Sequence, residues 1–548
     1  MAAVSHNQDA LADKFDVKEL SGAAQADANE RNSTVWEAWR THKKAVLWSM
    51  ALSGALIMEG YDVTVVGSFY GHPAFLRRFG VPTTGNDIGY AIPAPWQSGL
   101  SNGASAGGII GLFINGWAAD RYGPKIVMGA STIMLTLTIF LLVFGDSLGM
   151  LVAGQVLCGI PWGVFQTLTV GYAAEVCPIQ LRGYLTAYVN MCWGIGILLS
   201  SGIVKATLVI PTDLSWRLPF VLQWIWVIPL FSIVYFCPPS PWWMVRKGRH
   251  DDAAAAVRRL TNPKYFSEED VQNSVAMMIH TTEMEAQNQH GTSYLQCFRG
   301  FDLRRSEIAM MAFTMQILSG QSLCGQGIQF LQQAGISTDL SFSLNMVLNS
   351  MFIIGTATSW VLMGFFGRRT LYTSGMACMC ITLMTIGGLA FYPSNEVKMA
   401  MGSLLIILNF IYNCTIGPAT YTIIGEISST RLRQKTIVLA RASYKAINIV
   451  AGILNPRMLS PLAWNLGPKT GLVWGSTAFL SLIYCLLRLP EAKGRSYGEL
   501  DILFENRIPA WKFKTTKADQ FGMVRRGEAV EEDGKLAQEV AHVEGDRK

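Results

Sequence analysis

Two carboxylates stand inside the first long apolar stretch of the chain. Glu59 and Asp62 are three residues apart in the string MEGYDVTVVG, and this spacing puts both side chains on one face of a helix. Ionisable groups in such stretches are costly in lipid and face a cavity or a partner. Neighbouring carboxylates held away from bulk water bind protons more readily than exposed ones, so this pair can take up and release a proton. A purely structural pair, held by arginine or backbone donors, is the alternative.

Cations occur in a later apolar stretch. Arg441 lies in KTIVLARASYK, and Lys445 follows one helical turn later on the same face. We expect Arg441 to be the counter-ion of an acid from the other half of the chain, with Lys445 nearer an aqueous cavity. The alternative is that either side chain extends to the cytosolic surface, because Arg441 is only six residues beyond Lys435.

A pair of opposite charges occurs twice. Glu175 is followed seven residues later by Arg182, and Glu426 is followed in the same way by Arg433. Each copy comes after the fourth long apolar stretch of its half of the chain. Membrane transporters are commonly built from such repeated halves, with the substrate site between them. The repeat therefore predicts two similar helical bundles.

The composition is that of a membrane protein. The 548 residues are 50% hydrophobic and only 15% charged, whereas a soluble protein carries about 25% charged residues. About twelve apolar stretches reach the ~20 residues that a helix needs to cross a bilayer. Helices are expected because hydrocarbon offers no partner for free backbone groups. We predict an all-α membrane protein with twelve transmembrane helices in two pseudo-symmetric six-helix bundles.

The apolar stretches divide the chain into five parts. Arginine and lysine are concentrated in the loops after the even-numbered stretches, although Arg77 and Arg78 are exceptions. The positive-inside rule then places both termini in the cytosol. No cleavable signal is visible, because the first apolar stretch is long enough to remain as a span. The predicted parts are a cytosolic N-terminal tail (1–44), a first bundle (45–238), a cytosolic linker with short helices (239–305), a second bundle (306–488) and a cytosolic C-terminal tail (489–548).

Charged junctions recur on the cytosolic side. GWAADRYGPK follows the second apolar stretch, and FFGRR occupies the corresponding place in the second half. Such charges can pair between helix ends when the cytosolic side is closed and separate when it opens. The alternative is that the cations only follow the positive-inside rule. The predicted cytosolic gate comprises Asp120, Arg121, Glu175, Arg182, Arg368, Glu426 and Arg433.

Other chemistries are not indicated by the sequence. The ten cysteines lie mostly in apolar stretches without a CxxC pair, and the seven histidines are scattered. They are interpreted as ordinary residues with no metal site. No nucleotide-binding loop or hydrolase motif is present. We therefore expect no enzyme, no cofactor and no nucleic-acid partner, but a protein of the lipid bilayer that uses an ion gradient or the gradient of its substrate.

Longer strings carry a family resemblance. The segments GQVLCGIPWGVFQTLTVGYAAEVCP, RLPFVLQWIW, SPWWMVRKGR and WNLGPKTGLVWG make the chain similar to the sugar porter family of the major facilitator superfamily, and within it to fungal α-glucoside proton symporters. The resemblance implies the major facilitator fold, a central sugar site and a proton-coupled cycle. It also ties Asp62 first, and Glu59 second, to proton coupling. Many sugar porters have an arginine opposite this acid where the present chain has Gln155, so the partner of the acid stays open.

The sugar site should combine amides, hydroxyls and aromatic rings. Sugar hydroxyls need donors and acceptors, and the apolar face of a pyranose packs on a ring. A purely interhelical hydrogen-bonding role is the alternative for each polar residue. In the seventh stretch, Ile317 and Ser322 replace a glutamine and an asparagine of the family pattern, so the identity of the sugar stays open. The candidates are Asn190, Trp193, Gln316, Gln321, Ser322, Tyr421, Tyr444 and Asn448. Four of them match positions that resemble sugar contacts of the family: Asn190, Gln316, Ser322 and Tyr421.

These features lead to a hypothesis of alternating access. The protonated acid pair binds sugar from outside, the bundles rock, the gate parts, and sugar and proton leave to the cytosol. We predict import of an α-glucoside such as maltose by proton symport, by a monomer in the plasma membrane or, alternatively, the vacuolar membrane. The other hypotheses are an uncoupled hexose or polyol facilitator, a transporter of another polar metabolite and, last, a sugar sensor that does not transport.

Overall fold

The computed structural model is almost entirely helical. It describes residues 22, 25–26, 29, 33–83, 88–289, 294–392, 394–428, 432–492, 500, 503–504, 506–513 and 516. The long helices are numbered below as spans 1 to 12 in chain order.

Six spans form the first bundle, and two of them are interrupted. A short helix, Pro73–Phe79, and a two-stranded antiparallel sheet of Val81–Pro82 and Tyr90–Ala91 connect spans 1 and 2. The spans are span 1 (Val35–Ser53 continued by Ala55–Phe69), span 2 (Ala94–Tyr122), span 3 (Pro124–Val143), span 4 (Leu148–Val176), span 5 (Ile179–Thr207) and span 6 (Leu214–Leu222 continued by Trp224–Phe236).

The second bundle repeats this arrangement. A single 3₁₀ turn, Gly467–Lys469, precedes the last span. The spans are span 7 (Gly300–Leu318, the 3₁₀ segment Gln321–Gln326 and Gly327–Gln333), span 8 (Thr338–Phe365), span 9 (Arg368–Leu389), span 10 (Asn395–Cys414 continued by Ile416–Ile427), span 11 (Arg433–Leu459) and span 12 (Thr470–Arg488).

Short helices join the two bundles. Between spans 6 and 7 the linker forms helices Pro241–Arg246, His250–Leu260 and Glu268–Gln289 and the 3₁₀ segment Tyr294–Phe298. The three helices share a small apolar core of their own. A further 3₁₀ turn, Ala510–Lys512, packs near span 12.

The apolar character of the spans is uneven. Within the described residues, nine helices are long and apolar enough to cross a membrane, and they correspond to spans 3 to 6 and 8 to 12. Spans 1, 2 and 7 are more polar or interrupted, and they carry cavity side chains such as Glu59, Asn102 and Gln316. The prediction of twelve transmembrane helices in two six-helix bundles is confirmed by this arrangement together with the structural neighbours reported below.

Glycines let the spans of the first bundle cross closely. A Cβ atom at Gly107 or Gly111 of span 2 would overlap a backbone carbonyl of span 4, and one at Gly159 or Gly163 of span 4 would overlap a carbonyl of span 2. Small residues allow this backbone contact, which supplies the packing that holds helices together in lipid. The small residues of the run GASAGGIIG (103–111) therefore pack span 2 against span 4.

Two spans of the second bundle break beside the bundle interface. Gly320 takes a left-handed conformation with φ 84° between Leu318 and the following 3₁₀ turn, and glycine adopts this conformation at little cost. Span 10 breaks at Thr415, because the ring of Pro418 excludes the carbonyl of the residue four positions earlier. The break in span 7 was not predicted from the sequence.

Several hydrogen bonds join the two bundles toward one end of the molecule. We call the end where spans 6 and 7 join the linker the linker end, and the opposite one the loop end. In the loop-end half, Asn349 Nδ2 donates to Ser201 Oγ at 2.6 Å and Asn102 Nδ2 to the Ile449 carbonyl at 3.1 Å. Gln332 likewise donates to the Gly71 carbonyl at 3.1 Å. The molecule is therefore closed at the loop end.

Candidate functional site

A polar cavity lies between the two bundles. Its volume is about 350 Å³, and spans 1, 2, 4, 5, 7, 8, 10 and 11 line it. This volume falls in the range of roughly 300–1,000 Å³ that is typical of small-molecule sites. A cavity of this size between two repeated bundles is where a transporter of this architecture binds its substrate.

Glu59 is the acid of this cavity. Its side chain is 5% exposed, and both carboxylate oxygens accept hydrogen bonds. Gln166 of span 4 donates to Oε1, and the indole nitrogen of Trp193 in span 5 donates to Oε2 at 3.1 Å. Span 1 can place Glu59 here because Gly60 packs against the backbone of span 5. The carboxylate is thus fixed at the cavity wall by two neutral donors.

Asp62 occupies a different environment, which corrects the expectation that both acids face the cleft. It does not line the cavity and is 0% exposed inside the first bundle. Gln223 of span 6 donates to Oδ1 at 2.7 Å, and Gln155 and Trp162 of span 4 lie beside the same carboxylate. Three residues along a helix turn the side chain by about 60°, which is enough to carry it from the cavity wall into the bundle. The partners of Asp62 are neutral.

Arg441 of span 11 lines the cavity within an aromatic cage. Nη2 donates to the Tyr421 hydroxyl at 3.2 Å. The guanidinium carbon lies 4.7 Å from the ring centre of Phe313 and 5.1 Å from that of Tyr421. Cation–π contacts of this kind stabilise a buried guanidinium. Arg441 is therefore held mainly by its own bundle, and its expected role as counter-ion of an acid in the other half is not supported by a direct contact.

All eight predicted sugar-binding residues line the cavity. Asn190 and Trp193 come from the first bundle and the other six from the second: Gln316, Gln321, Ser322, Tyr421, Tyr444 and Asn448. The structure thus brings the set together, while the binding of sugar by these residues stays a prediction.

The break in span 7 positions three of these side chains. Gln316 Nε2 donates to the Gly417 carbonyl at 3.2 Å, next to the break in span 10. Gln321 Nε2 donates to Asn409 Oδ1 at 2.9 Å. Gln321 Oε1 and Ser322 Oγ are buried and have no partner among the described residues. Both atoms can exchange hydrogen bonds with sugar hydroxyls.

Two candidates bridge the bundles in this conformation. Asn190 Nδ2 donates to Thr356 Oγ1 of span 8 at 3.4 Å, and Asn448 Nδ2 donates to Ser105 Oγ of span 2 at 3.2 Å. Each amide still has a second N–H donor and an oxygen acceptor that a ligand can use. Both hydrogen bonds cross the interface, so they must break when the bundles separate.

Sequence reasoning missed several residues of the cavity wall. They share an amide side chain inside an apolar helix, which is the signal that could have identified them. Asn409 is the most connected, because it accepts from Gln321 and donates to the Leu348 carbonyl at 2.6 Å. The missed amides are Asn102, Gln166, Gln326, Asn345, Asn349, Asn409 and Asn455.

The predicted gate residues pair within their own bundles. Arg246 Nη2 donates to Glu175 Oε1 at 2.8 Å, and Ser240 donates to the other oxygen. Arg368 Nε donates to Glu426 Oε1 at 3.1 Å. Neither of these ion pairs crosses between spans of the two bundles. The sequence predicted Glu175, Glu426 and Arg368 as gate residues but not Arg246, the partner of Glu175 in the linker.

The remaining gate candidates form no such pair in the part of the chain that is described. Arg121 is exposed and lies over the rings of Trp117 and Tyr122, each 5.6 Å away. The side chains of Asp120, Arg182 and Arg433 lie outside the described residues. Across the ranges that the structure covers, no group of three or more His, Cys, Asp or Glu side chains converges as a metal site.

The comparisons with known proteins agree with this geometry. The family model "Sugar (and other) transporter" matches residues 47–504. The chain is 38% identical over 527 residues to maltose permease MAL31 of Saccharomyces cerevisiae, covering 95% of this chain and 86% of that one. It is also 38% identical over 507 residues to a general alpha-glucoside permease of the same yeast, covering 91% of this chain and 82% of the relative.

Solved structures share the fold at lower identity. The xylose transporter XylE of E. coli, in a partially occluded inward-open conformation, aligns with a TM-score of 0.66 at 18% identity over 83% of this chain and 99% of XylE. Another structure of XylE, a proton:xylose symporter bound to 6-bromo-6-deoxy-D-glucose, gives a TM-score of 0.66 at 20% identity over 85% of this chain and 100% of XylE. The chain therefore belongs to the sugar transporter family of the major facilitator superfamily.

Proposed function

We propose that this protein imports an α-glucoside such as maltose together with a proton. The observation that carries the proposal is the cavity between the bundles, in which amides and aromatic rings stand next to the buried carboxylate of Glu59. The yeast relatives named above as maltose and alpha-glucoside permeases are similar over most of their length. This similarity supports an α-glucoside over the alternatives of a hexose, a polyol or another polar metabolite.

The sugar is held by groups from both bundles. Trp193 presents an aromatic ring from the first bundle, and Tyr444 presents one from the second. Gln321 and Ser322 offer unpaired oxygen atoms to the hydroxyl groups. Binding across the interface matters for the mechanism, because a ligand that touches both bundles can stabilise the conformation in which they close around it.

The proton binds to Glu59 in this mechanism. The carboxylate lines the cavity and therefore meets water whenever the cavity opens. Asp62 is enclosed by Gln223, Gln155 and Trp162, so it lacks this direct access. We accordingly place Glu59 before Asp62 as the coupling residue, in the reverse of the order that the sequence predicted.

Transport then proceeds by rocking of the two bundles. The structure is closed at the loop end. If the linker end faces the cytosol, as the cationic loops indicate, the cavity is in its inward-facing state. At the linker end, the ion pair of Glu175 joins span 4 to the linker, and the ion pair of Glu426 joins spans 9 and 10. Opening outward requires the amide contacts at the loop end to break. It also requires charged side chains at the linker end to form new ion pairs.

The site of action follows from the same reasoning. We place the protein in the plasma membrane, which the family resemblance favours, with both termini in the cytosol, which the cationic loops indicate. We propose a monomer because one chain supplies every wall of the cavity. The partners are the sugar, the proton and the lipid bilayer.

Expression in a yeast host without α-glucoside transport tests the proposal. Labelled maltose, glucose, xylose and the β-linked disaccharide cellobiose are supplied in an unbuffered medium at several pH values. We expect uptake of maltose well above that of cellobiose, with alkalinisation of the medium on addition of maltose. Maltose exchange without proton uptake would identify an uncoupled facilitator, and no movement of any of these sugars would contradict the proposal.

A further inference from the structure

The cavity contains a second cation that the cycle described above does not use. Lys445 lies one helical turn beyond Arg441 in span 11, and both side chains line the same cavity as Glu59. A cation in the membrane interior is costly unless it meets a partner or water. Because two cations and one acid line the same cavity, we ask which of the cations is the partner of the acid.

Arg441 is already engaged within the second bundle. Its guanidinium donates to Tyr421 and lies over the rings of Phe313 and Tyr421. These contacts fix its position whether or not Glu59 carries a charge. The aromatic cage therefore makes Arg441 a fixed part of the second bundle.

Lys445 reaches instead toward the first bundle. A Cβ atom at Gly108 of span 2 would lie 3.7 Å from Lys445 Nζ, which is an ordinary contact distance, so the ammonium group lies against span 2 at this glycine. No residue in the described part of the chain forms a hydrogen bond with Lys445. Of the two cations, Lys445 has the stronger electrostatic interaction with the Glu59 carboxylate.

We propose that Lys445 is the countercharge of Glu59 across the interface between the bundles, and that this pair allows the empty carrier to return. The inference rests on the proposed function. After sugar and proton leave, Glu59 is an anion on one bundle and Lys445 a cation on the other. Their attraction stabilises the charge while the empty bundles rock back, because an unpaired charge in a low-dielectric interior is strongly unfavourable. When Glu59 gains a proton, the attraction ends, and the bound sugar then connects the two bundles.

The surroundings of Glu59 support this assignment. Span 11 also presents Arg441, held in its aromatic cage, and Tyr444. Gln166 of span 4 and Trp193 of span 5 do not titrate, and Asp62 lies one turn further along span 1. Among these described groups, Lys445 is the cation that a change of charge on Glu59 affects most.

The test compares net uptake with exchange in reconstituted vesicles. Net uptake requires the empty carrier to return, whereas counterflow of labelled maltose against unlabelled maltose uses only the loaded carrier. We expect Lys445→Met to lower net proton-driven uptake by about tenfold or more while counterflow stays within about threefold of the wild type. Lys445→Arg should restore most of the net uptake. Lys469→Met is the matched control, because Lys469 is exposed and outside the cavity.

A double variant covers the case in which Lys445→Met loses both activities. In Glu59→Gln/Lys445→Met neither charge remains, so we expect counterflow to return to the level of Glu59→Gln alone. A double variant as inactive as Lys445→Met would overturn the pairing, as would a Lys445→Met protein with wild-type net uptake. If the wild type itself shows no maltose counterflow, the proposed function fails, which is a separate result.

Discussion

The indole nitrogen of Trp193 donates a hydrogen bond of 3.1 Å to the carboxylate of Glu59. One side chain therefore combines an aromatic surface in the sugar cavity with a contact to the acid that we assign to the proton. This relationship gives a physical route by which sugar and proton can influence each other. A sugar that moves the Trp193 ring also changes the environment of Glu59.

Substitution of Trp193 should separate the two roles of the indole. Trp193→Phe keeps a ring but removes the donor, and hydrogen bonds to charged groups contribute about 1.5–3 kcal/mol. We expect a fall of about tenfold in the maximal rate of uptake with KM for maltose within about threefold of the wild type. Trp193→Ala also removes the ring, so KM should rise as well.

Kinetics of labelled maltose uptake measure both parameters. Trp226→Phe is a suitable control, because Trp226 lies in span 6 and does not line the cavity. Equal loss of maximal rate in Trp193→Phe and Trp226→Phe would contradict the role of the indole N–H.

Asp62→Asn should act on stability more than on coupling. The side chain is buried behind the cavity wall, among Gln223, Gln155 and Trp162. Asparagine is nearly the same size but cannot carry the charge, so we expect less folded protein and slower uptake with the accumulation ratio of maltose largely kept. The measurement is the steady-state ratio of internal to external maltose under a proton gradient. A ratio of one, with normal exchange, would restore Asp62 as the coupling acid.

The crossing of spans 2 and 4 should tolerate no added methyl group. A Cβ atom at Gly107 would overlap the Val156 carbonyl, whereas one at Gly116 has nothing within 4 Å. Overpacking costs about 1–3 kcal/mol, so Gly107→Ala should lower the midpoint of thermal unfolding by several degrees and reduce the yield. Gly116→Ala should behave like the wild type. Detergent-solubilised protein heated in steps and analysed by size-exclusion chromatography provides the measurement, and equal stability of the two variants would refute the packing account.

A disulfide at the loop end should trap the present conformation. Asn349 Nδ2 and Ser201 Oγ are 2.6 Å apart across the interface. In Ser201→Cys/Asn349→Cys, mild oxidation should reduce maltose uptake to about a tenth, because a covalent link between spans 5 and 8 prevents opening at that end. A reductant should restore activity.

The two variants with only one of these substitutions, Ser201→Cys and Asn349→Cys, serve as controls for this experiment. They should be insensitive to the oxidant. Full uptake by a quantitatively cross-linked double variant would mean that the loop end does not need to open.

The sequence predicted those parts of the structure that depend on composition and spacing. The length of the apolar stretches predicted the twelve spans, and polar side chains within them predicted a cavity that Asn190, Gln316 and Tyr444 do line. The position of Glu59 at the cavity wall and the enclosure of Asp62 behind it could not be predicted in this way. The rotation of span 1 is set by its packing on span 5, where Gly60 and Gly196 bring the two backbones together.

The sequence also could not predict which distant residues form ion pairs with each other. Glu175, Glu426 and Arg368 were predicted as gate residues, but Arg246 is brought to Glu175 by the arrangement of helix ends. The expectation that Arg441 is the counter-ion of an acid in the other half stays a prediction, because the described contacts of its guanidinium are to residues of its own bundle. The rings of Phe313 and Tyr421 come from other spans, and only their packing shows that the guanidinium is already held.

Accumulation of maltose by the Glu59→Gln protein tests the central claim most directly. Purified protein is reconstituted in vesicles with an inward proton gradient, and internal and external labelled maltose are compared at steady state. We predict that the wild type concentrates maltose inside, whereas Glu59→Gln exchanges maltose in counterflow but brings the internal concentration only to the external one. Concentration of maltose by Glu59→Gln to the wild-type level would contradict the assignment of the coupled proton to Glu59.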